Sequence, residues 1–532
     1  MRKNHKSNRY IYDPLYGIIY LPDYIWDIIP CAELQRLREV RICNINSFCL
    51  TGGANINRYE HAIGTCYLAK VCLESWPPLN PISETEQRLF SFSALLHDIF
   101  SAAFGHSIEY IESKKGFDHE KAFRYVAMDE KGDTYQYKHA TLEPIFFGMR
   151  GELSSKIAKE DLNEIAKIIA GKGRFGPLIN GTIDLDNIDN VYRLAYHIGI
   201  VKSGEVPLKL AKSLWIEDGE LVVMHEAIPL VEEWHNVRKK LYLLLLQNPE
   251  EFSAKCMLSE AIESSIMKSF HPFDWYDVDY EFLKKLYSTS SEISMILSRL
   301  MKGDLYGCIG IFSTSKIDKH ELFNNSYLLS WDEIPGKDSS RLIEFLTQKC
   351  GANWIEIAMI EKTDDGSTIT ITAENNYISL QLNDKKDKAT IMSADGMITE
   401  FIIRKENDKL NAYNTSKTEL EKELSKIIRL KLNPRFKSAM IALHSIIDVN
   451  KTERHVSIRT DKGQVAKIGG SSRQLLIGVF FKNVDLNIYK INKIPISVMS
   501  EIRKEVFGYL SNILGDKNLT EVELYAEVEE CR

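Results

Sequence analysis

The stretch ALLHDIFSAAFGHS, from Ala94 to Ser107, sets His97 and Asp98 directly after an apolar run suited to a protein interior. An ionised carboxylate buried beside an imidazole is costly unless something pairs with it, and a divalent cation suits both groups at once. Neighbours on a helix lie about 100° apart, so two adjacent side chains can bend toward one ion beside the helix. Such an ion needs further ligands. His61 in NRYEHAIG and Asp184, Asp186 or Asp189 in GTIDLDNIDNVYRLAYHIG are the candidates. An HD dipeptide alone is more often an internal hydrogen-bonded pair, because short motifs recur by accident.

The elements that must position these groups are mostly helical. From Leu34 to about Gly310 the helical period dominates, as in RYEHAIGTCYLAKVCLESW with Ala62, Cys66, Ala69 and Val71 among polar positions. After CIGIFSTSK a segment rich in Asn, Ser, Asp, Pro and Gly runs to about Ser340. Short runs follow, WIEIAMI, STITITA, YISLQL, ATIM and TEFIIR, separated by DDGS, ENN, NDKKDK and ADG, and they predict meandering antiparallel strands. Ser416 and Glu419 make a capping-box pattern before Leu420, Leu424, Ile427 and Ile428, with Pro434 as the limit of that helix. A further helix is expected from near Ser500, with Ile502, Val506, Tyr509 and Ile513 as its buried stripe. The expected fold is mainly α: an all-helical domain over residues 1–310 and a C-terminal α+β region over residues 311–532, regulatory or oligomerising in role. The sequence has no internal repeat or low-complexity tract.

Composition narrows the function classes. The chain has 532 residues, 44% of them hydrophobic, and Lys+Arg 67 against Asp+Glu 74 gives a net charge of -7. That is a globular protein without the basic footprint of a dedicated nucleic-acid binder. Its nine cysteines are scattered, odd in number and without a CxxC pair, which argues against a disulfide framework or a cysteine zinc site and favours reducing cytoplasm. No apolar segment follows the basic N-terminus and no later window reaches membrane-span length, so no membrane partner is expected. GKGRFG, Gly171 to Gly176, lacks the GK[ST] ending of a P-loop and reads as a loop before Asp186; NDKKDK reads as a solvated hairpin turn.

In order, NRYEH, LLHD, GHSIEY, DHEKAF and IDLDNIDNVYRLAYHIG resemble the HD-domain metal-dependent phosphohydrolases, and more closely their deoxynucleoside triphosphate triphosphohydrolases, the group of the dGTPases and the SAM-and-HD-domain enzyme. YDPLYGIIYLP and ELQRLREV look like that group's DP-x-x-G and FQRLR segments. The likeness runs on through VRKKLY and YEFLKKLYSTSSEISMILSRLMKGDLYGCIG, covering roughly residues 9 to 310. The resemblance implies one divalent metal, Mn, Fe, Mg, Co, Ni or Zn, held by His61, His97, Asp98 and Asp186, with Asp184 the runner-up for the fourth place. Two imidazoles and two carboxylates leave positions open for water and a phosphate oxygen. It further implies that His106 and His119 contact phosphate and supply a proton, with Glu109 orienting a histidine, a use that suits a group titrating near neutrality. Arg58, one helical turn before His61, and Tyr242 in VRKKLY then face the substrate, clamping phosphate or stacking on a base. The implied partners are a nucleotide substrate, an activating nucleotide read through Gln35 and Arg38, and further copies of the chain.

The chain also departs from the group. After Asp186 a Lys or Arg is usual, and three residues on a sugar-packing Tyr; here stand Asn187 and Asn190, with Tyr196 the nearest aromatic that could refill the space. Leu194 stands where an Asp holds the 3′-hydroxyl, Ser101 replaces a histidine, and Pro30 replaces the Asp that reads an activating guanine. The expected activity is therefore hydrolysis of deoxynucleoside triphosphates to deoxynucleoside and tripolyphosphate, with sugar and base choice altered. The alternatives are an HD phosphatase or phosphodiesterase acting on another nucleotide or nucleic acid, and a nucleotide-sensing regulator.

Overall fold

The computed structural model describes residues 9–43, 56–105, 123, 152–266, 277–331, 359–373, 376–393, 398–406, 409–432, 436 and 438–522. By contacts the chain divides into two units: residues 1–317, 446–499 and 517–532, and residues 318–445 and 500–516. The chain crosses from the first unit to the second at Ile317/Asp318, and two later segments belong to the first unit again.

The first unit opens with a hairpin, β1 (Ile11–Asp13) and β2 (Gly17–Ile19). Its helices are α1 (Arg58–Glu74), α2 (Glu84–Leu96), α3 (Lys159–Ile169), α4 (Leu185–His197), α5 (Glu205–Lys212), α6 (Ile228–Gln247), α7 (Pro249–Ile266), α8 (Asp279–Tyr287) and α9 (Ser291–Met301). Helix α1 is buried nearly all round, from Arg58 and His61 through Cys72. Such a helix has to run through the middle of its domain. On one side Ala62, Ile63 and Cys66 join Phe92, Leu95 and Leu96 of α2 and Leu162, Ile165 and Ile169 of α3. On the other Leu68, Ala69 and Cys72 join Ile188, Val191 and Tyr192 of α4 and Val231, Trp234 and Leu241 of α6. Each Leu, Ile, Val or Phe among them contributes about 1.5–3 kcal/mol when fully buried.

Local signals set the helix starts. Asn57 caps α1 by accepting from the Glu60 N–H at 2.9 Å, and Ser83 with Glu86 forms a reciprocal capping box on α2. GKGRFG is a loop as expected, with Gly171 and Gly173 at positive φ. Strands β3 (Leu214–Glu217) and β4 (Glu220–Val223) form a hairpin. A later hairpin, β14 (Val456–Thr460) with β15 (Val465–Ile468), joins its edge, β14 running parallel to β4. Val456, Ile458 and Ile468 enter the same core as α1 and α4. Strand β5 (Gly307–Thr314) pairs with β16 (Arg473–Phe481) and β17 (Thr520–Glu521), and β13 is Ile441–Val449.

In the second unit β6 (Ser326–Ser330), β7 (Met359–Lys362), β8 (Thr368–Ala373), β9 (Asn376–Leu382), β10 (Lys388–Ser393), β11 (Ile398–Glu406) and β12 (Lys409–Asn414) form one sheet, ordered β6-β12-β11-β10-β9-β8-β7. Beta7 to β12 are the antiparallel meander the alternating runs predict. Their inward residues, among them Ile369, Ile371, Ile378, Leu380 and Ile391, pack with Trp331 and Phe401. The first residues of WIEIAMI lie outside the described chain.

Two local expectations are corrected. Helix α10 (Ser416–Arg429) has Thr415 as its N-cap and no side-chain cap hydrogen bond, so Ser416 is its first helical residue and Glu419 cannot close a capping box with it. Helix α11 (Ile496–Leu514) starts earlier than Ser500, and its buried stripe is Ile502, Val506, Leu510 and Leu514; Tyr509 and Ile513 sit one position off it and are half-buried.

Candidate metal centre

Helix α1 packs against both α2 and α4 and brings the sequence candidates together. His61 lies one turn into α1, His97 closes α2, Asp98 follows it, and Asp186 sits in the first turn of α4. The Nε2 atoms of His61 and His97 lie 3.1 Å apart, and Asp186 Oδ1 is 2.9 Å from the first and 3.4 Å from the second. Asp98 Oδ2 stands 3.9 and 3.8 Å from the same two nitrogens. His61, His97 and Asp98, all buried, offer ligand atoms within 4.8 Å of one another.

The outer hydrogen bonds set the tautomers. His97 Nδ1 donates to the Ala94 carbonyl at 2.9 Å, and His61 Nδ1 donates to Asp189 Oδ2 at 2.8 Å. Each neutral ring then aims a bare Nε2 lone pair at the other and at a carboxylate oxygen. Without a positive charge between them these acceptors repel. A divalent ion answers this, and bonds of about 2.0–2.2 Å at steep angles place neighbouring ligand atoms roughly 3 Å apart. The donor set therefore fits a catalytic divalent metal, N and O in kind, with its identity left open. The same demand for charge shows in the titration. Burial works against a charged His61, but the Asp186 and Asp189 carboxylates outweigh it and lift the ring to about 10. His97 is raised against its own burial by Asp186 and Asp98. Asp186 falls far below the carboxylate range, its burial overcome by the two histidines.

Asp184, the runner-up ligand, is otherwise engaged. It caps α4, accepting from the Asn187 N–H at 2.7 Å through Oδ1 and from the Gly181 N–H at 2.9 Å through Oδ2. Its burial and the nearby Asp186 charge push it up to about 6. The alternation along α4 thus separates three carboxylates into three uses: Asp184 caps, Asp186 faces the imidazoles, and Asp189 orients His61.

Asp189 is itself held by a buried network. It accepts from the Tyr16 hydroxyl at 2.8 Å and from Arg193 Nε and Nη2 at 2.8 and 3.0 Å; Arg193 Nη1 donates onward to Asp13 at 2.9 Å and Glu60 at 2.6 Å. Glu60 also pairs with His197. Gly64 makes room for this: a Cβ there would lie 2.1 Å from Arg193 Nη2 and 2.2 Å from Asp189 Oδ1. Sequence reasoning missed Asp13, Tyr16, Glu60 and Arg193; the four-residue spacing of Asp189 and Arg193 was the available signal.

Arg58 is 3% exposed and its Nη1 donates to Asp98 Oδ2 at 2.5 Å, while Ser101 Oγ donates to Asp98 Oδ1 at 2.9 Å. Tyr242 lies under Arg238, whose guanidinium is 4.4 Å from the ring centroid. Asn190 is half-buried, and its Oδ1 is buried without a hydrogen-bond partner among the described residues. Tyr196 is partly buried against the α1/α4 core, and Leu194 is inside it. Gln35 donates to the Ile29 carbonyl at 2.6 Å and accepts from Arg38, which also lies over the Tyr59 ring. His106, Glu109 and His119 lie outside the described residues. In a second group of metal-type ligands, Cys31, Glu33 and Glu152, the two carboxylates accept from the backbone N–H groups of Glu152 and Ala32.

Residues 58–190, which contain His61, His97, Asp98 and Asp186, match the family model of the HD domain. The chain carries an HD domain. It is 25% identical over 278 residues to the deoxynucleoside triphosphate triphosphohydrolase SAMHD1 homolog of Dictyostelium discoideum, covering 48% of this chain and 49% of that one. It is 34% identical over 104 residues to the deoxynucleoside triphosphate triphosphohydrolase SAMHD1 of Homo sapiens, covering 19% and 16%. The chain thus spans at most about half the length of these two relatives. A phosphohydrolase from Bacteroides thetaiotaomicron shares the fold, with a TM-score of 0.51 at 15% identity over 89% of this chain and all of that one. Among the described residues no helix is long and apolar enough to cross a membrane.

Proposed function

We propose that the HD domain is the active site of a metal-dependent nucleotide phosphohydrolase that converts deoxynucleoside triphosphates to deoxynucleoside and tripolyphosphate. The observation that carries it is the convergence of two Nε2 lone pairs and the Asp186 carboxylate at 2.9 to 3.4 Å. The names of the Dictyostelium and human relatives supply the substrate class.

His61, His97, Asp98 and Asp186 would hold one divalent cation, which when bound supplies charge stabilisation at a phosphoryl oxygen and an activated water. Asp189, fixed by Tyr16 and Arg193, holds His61 in its ligating tautomer. Arg58 holds the Asp98 carboxylate in place. In the reaction the water oxygen bonds to the α-phosphorus, the bond from that phosphorus to the sugar 5′ oxygen breaks, and a proton passes to the 5′ oxygen. His106 or His119, oriented by Glu109, is assigned that proton. The buried Asn190 Oδ1 suits a substrate hydroxyl donor, with Tyr196 and Tyr242 as the flanking rings and Gln35 and Arg38 as the site of an activating nucleotide.

The test is a panel of dNTPs, NTPs and oligonucleotides incubated with Mn, Mg or Fe and scored by product. Deoxynucleoside with tripolyphosphate is expected. Orthophosphate or pyrophosphate as first product would move the assignment to an HD phosphatase or phosphodiesterase, and no turnover at all to a nucleotide-sensing regulator.

A further inference from the structure

Asn187 follows Asp186 directly, yet its side chain is spent on its neighbours. Nδ2 donates to both Asp184 oxygens at 3.0 Å, and Oδ1 accepts from Arg454 Nη1 at 2.9 Å. The cation that reaches this spot thus comes from 267 residues further along the chain. Arg454 Nη2 also donates to the Gly181 carbonyl at 2.6 Å. Its planar fork therefore spans the turn Gly181–Asn187, which holds both the α4 cap and Asp186.

The placement is built rather than incidental. A Cβ on Gly469, at φ +72, would lie 2.4 Å from the Arg454 carbonyl oxygen and 2.2 Å from His235 Nε2, so the backbone of Arg454 sits in a slot that only glycine leaves open. The preceding Glu453 is held by Lys239 at 2.6 Å, and the strand that follows, β14, is registered on β4 through Arg459↔Val222 and Thr460↔Val223. A second guanidinium stands close by: Arg238 is buried, donates to the Lys451 carbonyl and stacks on Tyr242. Arg238, Asp186 and Arg454 all act electrostatically on the buried Tyr242 hydroxyl. Of the five N–H donors of a guanidinium, Arg454 uses two in these contacts and remains half-exposed.

We infer that Arg454 orients the anionic polyphosphate of the substrate beside Asp186. A guanidinium stays charged at every working pH, is weakly hydrated, and presents paired donors that match phosphate oxygens. Asn187 serves as its bracket. This assignment rests on the phosphohydrolase reading of the centre and names the residue that reads the substrate's charge there.

The test titrates inorganic tripolyphosphate into the full chain stripped of metal, by calorimetry, for the wild type, Arg454→Gln and Arg454→Lys. Arg454→Gln can still donate to Asn187 but carries no charge; its affinity is expected to fall roughly tenfold or more, the loss of a hydrogen bond to a charged group. Arg454→Lys keeps the charge without the fork and should fall in between. With nucleotide, KM should rise more than kcat falls. Mn²⁺ affinity should stay within about threefold, since no metal ligand is touched. Equal tripolyphosphate affinity in wild type and Arg454→Gln overturns the inference. So does loss of Mn²⁺ binding in step with tripolyphosphate binding, which would make Arg454 a brace for Asp186. If Arg454→Gln does not fold, Arg454→Lys decides: a several-fold loss supports the role, unchanged affinity refutes it. Binding is read without turnover, so a protein that hydrolyses nothing would sink the proposed activity and still leave this measurement its own answer.

Discussion

The two units bury different things. In the first, charged side chains lie inside the protein in number, among them Asp13, Arg58, His61, His97, Asp98, Asp184, Asp189, Arg193 and Asp279. In the second, the charged residues buried among those described are Lys417 and Asp516, and the inner face of the sheet is Ile, Leu, Ala, Phe and Trp. Burying a charge without a partner costs several kcal/mol, whereas burying Ile stabilises. A fold keeps such a network where the network does something, and here it surrounds two imidazoles aimed at one point. The meander needs only its alternation.

The largest effect should follow from breaking the network at its hub. Arg193→Met keeps volume but leaves Asp189, Asp13 and Glu60 without their shared cation, and stability should fall by about 3–5 kcal/mol in denaturant unfolding, with metal affinity falling as His61 loses its anchor. A loss below about 1 kcal/mol would show that the network is not what holds this unit together.

The converse change belongs to the second unit. Ile371→Ala removes a fully buried side chain of the meander and should cost about 2–4 kcal/mol, a figure set by the cavity it leaves. Metal uptake at the HD centre should not change. If it did, the separation drawn here between the two units' burdens would fail.

A smaller effect concerns pH. Asp279 is buried and accepts from the N–H groups of Phe104 and Arg41, and burial raises its pKa from 3.8 to about 6, against those two hydrogen bonds. A folded-state pKa above the unfolded value means stability fully present below about 3.8 and lost as pH rises through about 6. The melting-temperature advantage of the wild type over Asp279→Asn should therefore shrink from pH 4 to pH 7. A constant difference across that range would show that the carboxyl titrates normally in the fold.

Legibility in the sequence follows the range of the interactions. The meander could be read because each strand pairs with its neighbour in the chain, and alternation plus turn residues carry that information locally: Asn383 and Lys386 close the NDKKDK turn where expected. The helical character of the first unit could be read along the chain, and the candidate histidines and carboxylates from their types. The start of α10 could not, because Ser416 is the better capping residue by type and the helix nevertheless begins on it, after Thr415. Nor could the roles of Asp184, Asp186 and Asp189 be separated, since they depend on which face of α4 meets α1. Arg193 on Asp13 and Arg454 on Asn187 join residues far apart in sequence, and no local pattern announces them.

We infer that His61, His97, Asp98 and Asp186 hold one metal ion and that Asp184 is no ligand but caps α4. Metal content of the purified wild type, His97→Ala, Asp186→Ala and Asp184→Ala, measured by mass spectrometry of the bound element beside circular dichroism, tests it directly. One equivalent in the wild type is expected, none in His97→Ala and Asp186→Ala at unchanged helicity, and retention in Asp184→Ala with a lowered melting temperature. Full metal in Asp186→Ala together with its loss in Asp184→Ala would contradict the account.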